Sequence, residues 1–303
     1  MLPAHPGVGG IRFCLGGNVF GWTADHDTSF AILDYFYEIG GRMVDTADCY
    51  SNGVSEKLIG EWMESRAVRK DMLIGTKMGI AGTPGTLKPT NIAAALQGAL
   101  DRLRTDYVDI FYAHNDEPHT PQDEVAAGFD ALVRQGRVRE IGASNFSQKR
   151  FIDALESADR LGATPYTVLQ PGFNLVSRES YSQELQEICV TRGIAVFPYF
   201  GLASGYLTGK YRTEDDFARA GSRGEWARGY ATKGSAVMTV LDELNTETGR
   251  THAQISLAWL NNQPAIAAPL ASGRDVRQVQ ELCAVTSFEL TADQLERLTA
   301  AQR

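Results

Sequence analysis

Short apolar runs alternate with amphipathic helical patterns along nearly the whole chain, and this alternation limits the possible folds more than any other feature. The runs are rich in β-branched and aromatic residues and do not alternate in polarity, as is typical of strands buried on both faces. They occupy residues 11–15, 42–46, 72–76, 107–113, 139–143, 167–170, 194–198 and 265–269. Eight such strands between helices predict an α/β protein, a parallel (β/α)8 barrel of the TIM type. We expect residues 1–303 to form this one domain, with a short amino-terminal segment at the barrel floor.

Several helical patterns begin at residues that commonly cap helices. Ser147 and Thr251 stand directly before two of them, and Thr291 begins a Thr-Ala-Asp-Gln sequence that fits a capping box. Thr28 and Thr90 are predicted to cap two earlier helices on the same grounds. The region 211–234 differs, because it is charged, contains several glycines and lacks a clear apolar period. We predict a long loop there, between the seventh strand and its helix.

Two nucleotide-binding motifs that would indicate a different fold are incomplete. The Gly-Val-Gly sequence at 7–9 begins like the dinucleotide fingerprint of a doubly wound sheet, but Arg12 occupies the place of the third glycine. Residues 205–210 resemble a phosphate-binding loop that is one residue too short, and Tyr211 follows instead of serine or threonine. The barrel therefore remains the predicted architecture.

Charge and composition argue against several classes of function. The formal net charge of -8 and the pI of about 5.2 provide no basic field that would attract nucleic acid. No apolar run approaches the roughly 20 residues of a membrane-spanning helix, and the amino terminus has no signal-peptide pattern. The four cysteines are far apart and form no Cys-x-x-Cys pair, which favours reduced thiols in a cytoplasmic protein.

Polar residues stand at the carboxyl ends of the predicted strands, where the active sites of barrels lie. The second strand ends in Asp45 with Tyr50 in the loop beyond it, the third leads to Lys77, and the fourth leads to His114. A lysine ammonium beside a tyrosine lowers the pKa of the phenol from its usual value near 10, which makes the phenol a better proton donor. Asp45 would pair with Lys77, and His114 would hold a carbonyl oxygen beside the phenol.

This set of residues describes a group that protonates a carbonyl oxygen while hydride arrives at the carbon. No side chain supplies hydride, so a nicotinamide cofactor is expected. A buried ion pair without a catalytic role is the plainer interpretation of Asp45 and Lys77. A metal site built on His114, Asp116 and His119 is not expected, because the spacing fits no strong ligand motif and Lys77 would place a cation nearby.

Seven segments, in their order and spacing, resemble the aldo-keto reductase family over nearly the whole chain. They are VDTADCY (44–50), GTKMG (75–79), YVDIFYAH (107–114), IGASNF (141–146), LQPGFN (169–174), YLTGKY (206–211) and ISLAWL (255–260). The resemblance implies a barrel that binds NADPH without a Rossmann domain and reduces a small-molecule carbonyl compound. It also implies a catalytic set in which Tyr50 donates the proton: Asp45, Tyr50, Lys77 and His114.

The same resemblance assigns residues to the nicotinamide end of the cofactor. Tyr199 matches the aromatic residue that stacks on the nicotinamide ring. Two segments depart from the family's pattern, Pro171-Gly172 in the sixth strand and Phe200-Gly201-Leu202 after the seventh. The carboxamide of the nicotinamide is expected to be held by Ser144, Asn145 and Gln170.

The turn after the eighth strand matches the family's adenosine end. Arg274 would pair with the 2′-phosphate, because a guanidinium fork fits phosphate oxygens, with Ser272 and Gln278 beside it. Phe20 and Trp22 follow the first strand at the barrel mouth, so we expect them in the wall of the substrate pocket.

A second class of function fits the same residues. The family includes potassium-channel β subunits, in which the resemblance implies a regulatory module that keeps the barrel and the nucleotide. The complete catalytic set favours an enzyme and leaves that alternative open. Lys210 is interpreted as support for its loop. The sequence predicts neither the natural substrate nor the oligomeric state.

Overall fold

Within residues 11–301, which the computed structural model describes, eight parallel strands form a sheet that curls into a ring. The strands are β1 (Cys14–Gly16), β2 (Met43–Asp45), β3 (Leu73–Met78), β4 (Val108–Ala113), β5 (Val138–Ser144), β6 (Val168–Gln170), β7 (Ala195–Val196) and β8 (Leu270–Ala271). Neighbouring strands follow chain order from β1 to β7, and β8 lies beside β1. The predicted parallel α/β barrel is confirmed.

The ring closes between β7 and the segment that leads into β8. Val196 forms a parallel bridge with Ile266, and the amide of Leu270 donates to the carbonyl of Pro198 at 3.2 Å. The predicted eighth strand, 265–269, is wrong in its bounds, because β8 begins only at Leu270. Its residues nevertheless supply the contacts that close the barrel. Each of the other seven predicted runs overlaps an observed strand.

Helices surround the ring. They are α1 (His26–Glu38), α2 (Val54–Arg66), α3 (Pro89–Leu103), α4 (Gln122–Arg134), α5 (Gln148–Leu161), α6 (Gln183–Arg192), α7 (Glu214–Arg219), α8 (Ser222–Thr248), α9 (His252–Asn261), α10 (Val276–Cys283) and α11 (Ala292–Ala300). α7, α8 and α9 all lie between β7 and β8 in the chain. No helix within residues 11–301 is long and apolar enough to cross a bilayer.

Local hydrogen bonding explains where the helices begin. The predicted cap at Thr28 is wrong, because Asp25 accepts a hydrogen bond from the amide of Thr28 and α1 starts at once after Asp25. The predicted cap at Thr90 is also wrong, because α3 already begins at Pro89. The confirmed caps, whose side chains accept from the amide three residues ahead, are Ser147, Thr251 and Thr291.

The long loop predicted for residues 211–234 is wrong, since most of this region lies in α7 and the first half of α8. The buried face of α8 is built here from small residues: Gly224, Ala227 and Gly234. A Cβ added at Gly234 would overlap the ring of Tyr206, so the helix can lie this close only without a side chain. A helix that buries glycine and alanine shows almost no apolar period in its sequence, which is why the pattern suggested a loop.

Apolar side chains fill the interior of the ring and the space between the ring and the helices. Met43, Tyr112 and Phe197 belong to the inner cluster. A Cβ added at Gly75 would contact Met43, Tyr112 and the carboxylate of Asp45, so Asp45 lies directly on this inner layer. The barrel core thus ends in charged groups at the carboxyl ends of the strands. The short amino-terminal segment predicted at the barrel floor precedes β1, and residues 1–10 lie outside the described residues.

Candidate active site

A cavity of about 1000 Å³ opens at the carboxyl ends of the strands. Lys77 lies beneath the surface of this cavity, fully buried. The walls of the cavity contain most of the site residues that the sequence predicted, from both the catalytic and the cofactor-binding groups. These are Trp22, Asp45, Tyr50, His114, Ser144, Asn145, Gln170, Tyr199, Ser272, Arg274 and Gln278.

A buried ion pair occupies the floor of the cavity. Lys77 Nζ donates to Asp45 Oδ1, to the carbonyl of Thr46 at 2.6 Å, and at 3.4 Å to the hydroxyl of Tyr50. The second oxygen of Asp45 accepts from Gln170 Nε2 at 2.9 Å. Lys77 and Asp45 are 0% and 1% exposed, so each ion depends on these partners in place of water.

The ion pair and burial set the protonation states of this floor. Burial opposes the charge on Lys77, but Asp45 and Tyr50 together raise its pKa above the ordinary value, so the ammonium form persists. Burial also raises the pKa of Tyr50, and the nearby Lys77 only partly opposes that rise. The expectation of a lowered phenol pKa is therefore wrong for the protein without cofactor. The cost of removing the phenolate from water outweighs the stabilisation that one ammonium at 3.4 Å gives it.

His114 lies beside Tyr50 and is neutral. The two rings meet edge to face with their centroids 6.1 Å apart. Burial, together with the charge of Lys77, lowers the pKa of His114 to about 3. The Nδ1 atom of His114 lies 3.8 Å from the sulfur of Cys49, which leaves Nε2 as the nitrogen free to bind a substrate.

Ser144, Asn145 and Tyr199 form one hydrogen-bonded group on the next wall. The Tyr199 hydroxyl donates to Asn145 Oδ1 at 2.6 Å, and Asn145 Nδ2 donates to the carbonyl of His114 at 2.8 Å. Asn145 has a left-handed backbone, with φ of 55°, which turns its side chain back toward these partners. The Ser144 hydroxyl donates to the carbonyl of Gln170 at 2.9 Å.

The two departures from the family's pattern meet at the ring of Tyr199. A Cβ added at Gly172 would lie 3.1 Å from the Tyr199 hydroxyl and ring edge, tighter than ordinary contact. The ring of Phe200 packs edge to face with that of Tyr199, with ring centroids 5.0 Å apart. Both changes therefore fit the placement of Tyr199, and neither moves it away from the cavity.

The opposite end of the cavity is cationic, and sequence reasoning found only part of it. Arg274 stands before α10, where its amide donates to Gln278 Oε1 at 3.0 Å. Lys210 and Arg223 line the same end. Burial lowers the pKa of Lys210, and the charges of Arg274 and Arg223 lower it further. None of these three cations has an ion pair with any residue in 11–301. Lys210, interpreted from sequence as loop support, thus faces the cavity.

Aromatic residues flank the mouth, but not the pair that was predicted. Phe20 is fully buried in the core and does not reach the cavity, so its predicted place in the pocket wall is wrong. Residues 17–24 turn back on themselves, which points Phe20 inward and Trp22 outward. Trp22 is 55% exposed, and the guanidinium of Arg223 lies 5.0 Å above its ring. Trp226, one turn further along α8, also lines the cavity.

Asp116 is engaged elsewhere. Both of its oxygens accept from Arg150, at 2.8 and 3.0 Å. Asp116 is thus held in an ion pair with Arg150.

A family model described as the aldo/keto reductase family matches residues 12–303, and the chain therefore belongs to the aldo-keto reductase family. This confirms the resemblance found in the sequence segments and identifies the chain as an oxidoreductase. A solved structure of a thermostable aldo-keto reductase with the inhibitor epalrestat superposes with a TM-score of 0.78 at 24% identity, covering 96% of this chain and 94% of that one. That likeness supports the barrel fold.

Curated relatives are similar over most of their length. An aryl-alcohol dehydrogenase [NADP(+)] of Phanerodontia chrysosporium is 28% identical, covering 91% of this chain and 76% of the relative. A norsolorinic acid reductase of Aspergillus flavus is 26% identical, covering 100% and 80%. A probable voltage-gated potassium channel subunit beta of Oryza sativa subsp. japonica is 28% identical, covering 86% and 83%.

Proposed function

We propose that this protein reduces an aldehyde or ketone to an alcohol with NADPH as hydride donor and Tyr50 as proton donor. One observation carries the proposal. The Tyr50 hydroxyl lies 3.4 Å from a fully buried ammonium and beside a neutral histidine, at the floor of an open cavity. Such an arrangement serves proton transfer from the phenol to the oxygen of a bound carbonyl compound.

The residues of the cavity fit the proposed cofactor at both ends. The polar groups of Ser144, Asn145 and Gln170 line the end of the cavity beside Tyr50 and Lys77, which we call the chemical end, and an amide would find donors and acceptors there. Arg274, Lys210 and Arg223 line the opposite end, which we call the nucleotide end, without counter-ions in residues 11–301, as expected of a site for phosphate groups. When bound, the nicotinamide supplies the hydride that no side chain can supply.

Tyr50 holds a proton ready for the carbonyl oxygen. Its raised pKa keeps the phenol protonated at neutral pH, which is the form a general acid needs. As the proton leaves, the phenolate is stabilised by the ammonium of Lys77, which Asp45 holds in place. Lys77 thus acts on the phenolate that forms, more than on the resting phenol.

His114 orients the carbonyl through a fixed tautomer. Burial, followed by the charge of Asp48, raises the pKa of Cys49 to about 11, so the thiol keeps its proton. That thiol can donate to His114 Nδ1 at 3.8 Å, which leaves the ring proton on Nε2. A neutral imidazole with Nε2–H donates a hydrogen bond to a carbonyl oxygen without competing for the proton of Tyr50.

The alternative, a regulatory module that binds nucleotide without turnover, is kept open by relatives named as potassium channel β subunits. Purified protein should be mixed with NADPH and a panel of aromatic and aliphatic aldehydes and ketones, starting with aryl aldehydes. Loss of NADPH absorbance over many turnovers supports the reductase. Tight NADPH binding without consumption across the panel would refute the reductase and favour the regulatory module.

A further inference from the structure

Three side chains with different donor atoms converge near the floor of the main cavity. One oxygen of Asp48, the sulfur of Cys49 and a nitrogen of His114 all lie within 4.8 Å of one another. Cys49 Sγ lies 3.8 Å from His114 Nδ1. Cys49 Sγ thus lies at the Nδ1 edge of the His114 ring, whereas the proposed substrate would bind at Nε2.

Asp48 contributes an oxygen that has no partner. Its Oδ1 atom is buried and has no hydrogen bond within residues 11–301, where Asp48 also forms no ion pair. The cations nearest to it are already engaged: Lys77 donates to Asp45, and Arg102 Nε donates to Glu56 at 2.6 Å. A buried carboxylate oxygen without a donor is costly, and a cation would remove that cost.

A second cavity gives access to this cluster from outside the barrel. Its volume is about 570 Å³, and Asp48 and Cys49 line it together with Arg102 and small residues of α3. Cys49 also lines the main cavity. An ion can therefore reach the cluster without passing through the site proposed for the cofactor.

We propose that Asp48, Cys49 and His114 bind one zinc-class divalent ion, and that this ion inhibits the proposed reductase. A thiolate, an imidazole and a carboxylate are the donors that Zn²⁺ selects, at about 2.0–2.3 Å from the metal. Three protein ligands leave the fourth position to water. The thiol proton is released to solvent when the Zn–S bond forms.

Inhibition follows from the shared histidine, and this part of the inference depends on the proposed function. Zn²⁺ brings its ligand atoms to roughly 3.5 Å of one another, so the imidazole must shift toward Cys49 and Asp48. That shift draws Nε2 away from the carbonyl oxygen it would orient. The bound carbonyl is then oriented poorly for hydride and proton transfer, so kcat falls although the nucleotide end has not changed.

Binding is tested without any assay of turnover. Wild-type protein is titrated with Zn²⁺ in competition with a chromophoric chelator, and Co²⁺ serves as a spectroscopic probe. We expect one ion per chain and a thiolate-to-cobalt absorption band. Cys49→Ser should abolish the band, and both Cys49→Ser and Asp48→Asn should weaken binding by at least about tenfold. Cys283→Ser is the matched control, because Cys283 is buried far from the cluster in α10 and should leave binding unchanged.

The kinetic arm uses wild type and Asp48→Asn. We expect saturating Zn²⁺ to lower the wild-type kcat at least tenfold, a chelator to restore it, and Asp48→Asn to lose this sensitivity while keeping its metal-free rate. No stoichiometric binding, or binding that both ligand variants retain, would overturn the site. Stoichiometric binding with full turnover would overturn the inhibition. A protein that binds zinc at this site but reduces no substrate even when it is free of metal would refute the proposed reductase and leave the zinc site standing.

Discussion

The two ends of the main cavity satisfy their charges in opposite ways. At the chemical end, Lys77 and Asp45 are both buried and each donates to or accepts from more than one partner. At the nucleotide end, Lys210, Arg223 and Arg274 face one another without an ion pair to residues 11–301. At one end the charges are paired within the described residues, whereas the other end has an excess of positive charge that an anionic ligand would neutralise.

This difference separates catalysis from affinity. Groups that are fixed before the substrate arrives need no reorganisation during reaction, which is the basis of electrostatic catalysis. Repulsion among the cations instead lowers the stability of the folded protein, and a bound anion removes that repulsion. A phosphate-bearing ligand should therefore stabilise the protein strongly. Variants at the chemical end should therefore affect turnover and folding, and variants at the nucleotide end should affect ligand preference.

The largest expected effect is on turnover in Tyr50→Phe. The ring and its packing remain, but the only proposed proton donor is removed, so kcat should fall by about 10²–10⁴-fold. NADPH affinity, measured by fluorescence titration, should stay within about threefold. Tyr112→Phe is the control, because its ring also faces Lys77, at 5.8 Å, but it does not line the cavity. A Tyr50→Phe enzyme that keeps more than a tenth of the wild-type kcat would mean that the proton comes from another group.

The same substitution at each end should separate their contributions to folding. Lys77→Met leaves Asp45 buried without its cation, and the free energy of unfolding should fall by about 3–5 kcal/mol. Lys210→Met removes a solvent-exposed cation that is repelled by Arg223 and Arg274, so the change should stay within about 0.5 kcal/mol. Urea denaturation without nucleotide measures both. Equal losses in the two variants would show that the ends do not differ as described.

Arg274→Ala should change cofactor preference at the nucleotide end. A guanidinium on the 2′-phosphate favours NADPH over NADH by roughly 1.5–3 kcal/mol, or about ten- to a hundredfold. The variant should lose most of that preference while its affinity for NADH changes little. Titration of both nucleotides into both proteins gives the comparison. Wild-type protein that binds the two nucleotides equally would remove the phosphate role from Arg274.

The smallest expected effect is a pH dependence of stability at the chemical end. His114 has a folded-state pKa lowered to about 3, against 6.5 in an unfolded chain, so the unfolded state binds the extra proton between those values. This contribution to stability is complete above about pH 6.5 and falls as the pH decreases toward 3. Between pH 7 and pH 5 the free energy of unfolding should drop by about 2 kcal/mol from this group. Denaturant titrations with a chelator present test this, and His114→Asn should show a correspondingly flatter profile.

Local rules allowed much of the chemical end to be predicted. A barrel places its site where strands end, so the polar residues at the ends of β2, β3 and β4 could be assigned from sequence, including Asp45, Lys77 and His114. Ser147, Thr251 and Thr291 were found as caps because a cap bonds only three residues away. Asp25 was missed because two cap-forming residues, Asp25 and Thr28, compete for one helix start.

Features that depend on packing between distant segments were not predictable. Lys210, Arg223 and Arg274 meet only because α8 lies close against its neighbours, and the glycines that permit this also hide the helix in the sequence. The raised pKa of Tyr50 depends on burial of its phenol in the folded barrel, which no local sequence pattern shows. The turn that sends Phe20 inward and Trp22 outward likewise depends on backbone bonds that no periodicity signals.

The position of β8 beside β1 has a consequence for the newly made chain. Cys14 pairs with Leu270, so one edge of β1 must wait until about 250 further residues have left the ribosome. At roughly 5–20 residues per second, that wait lasts on the order of ten to fifty seconds. An unpaired strand edge invites pairing with other chains, and short edge strands are one defence. β1, β7 and β8, the strands nearest the seam, are three, two and two residues long. The barrel thus leaves very little exposed backbone for a neighbouring nascent chain to pair with before it closes.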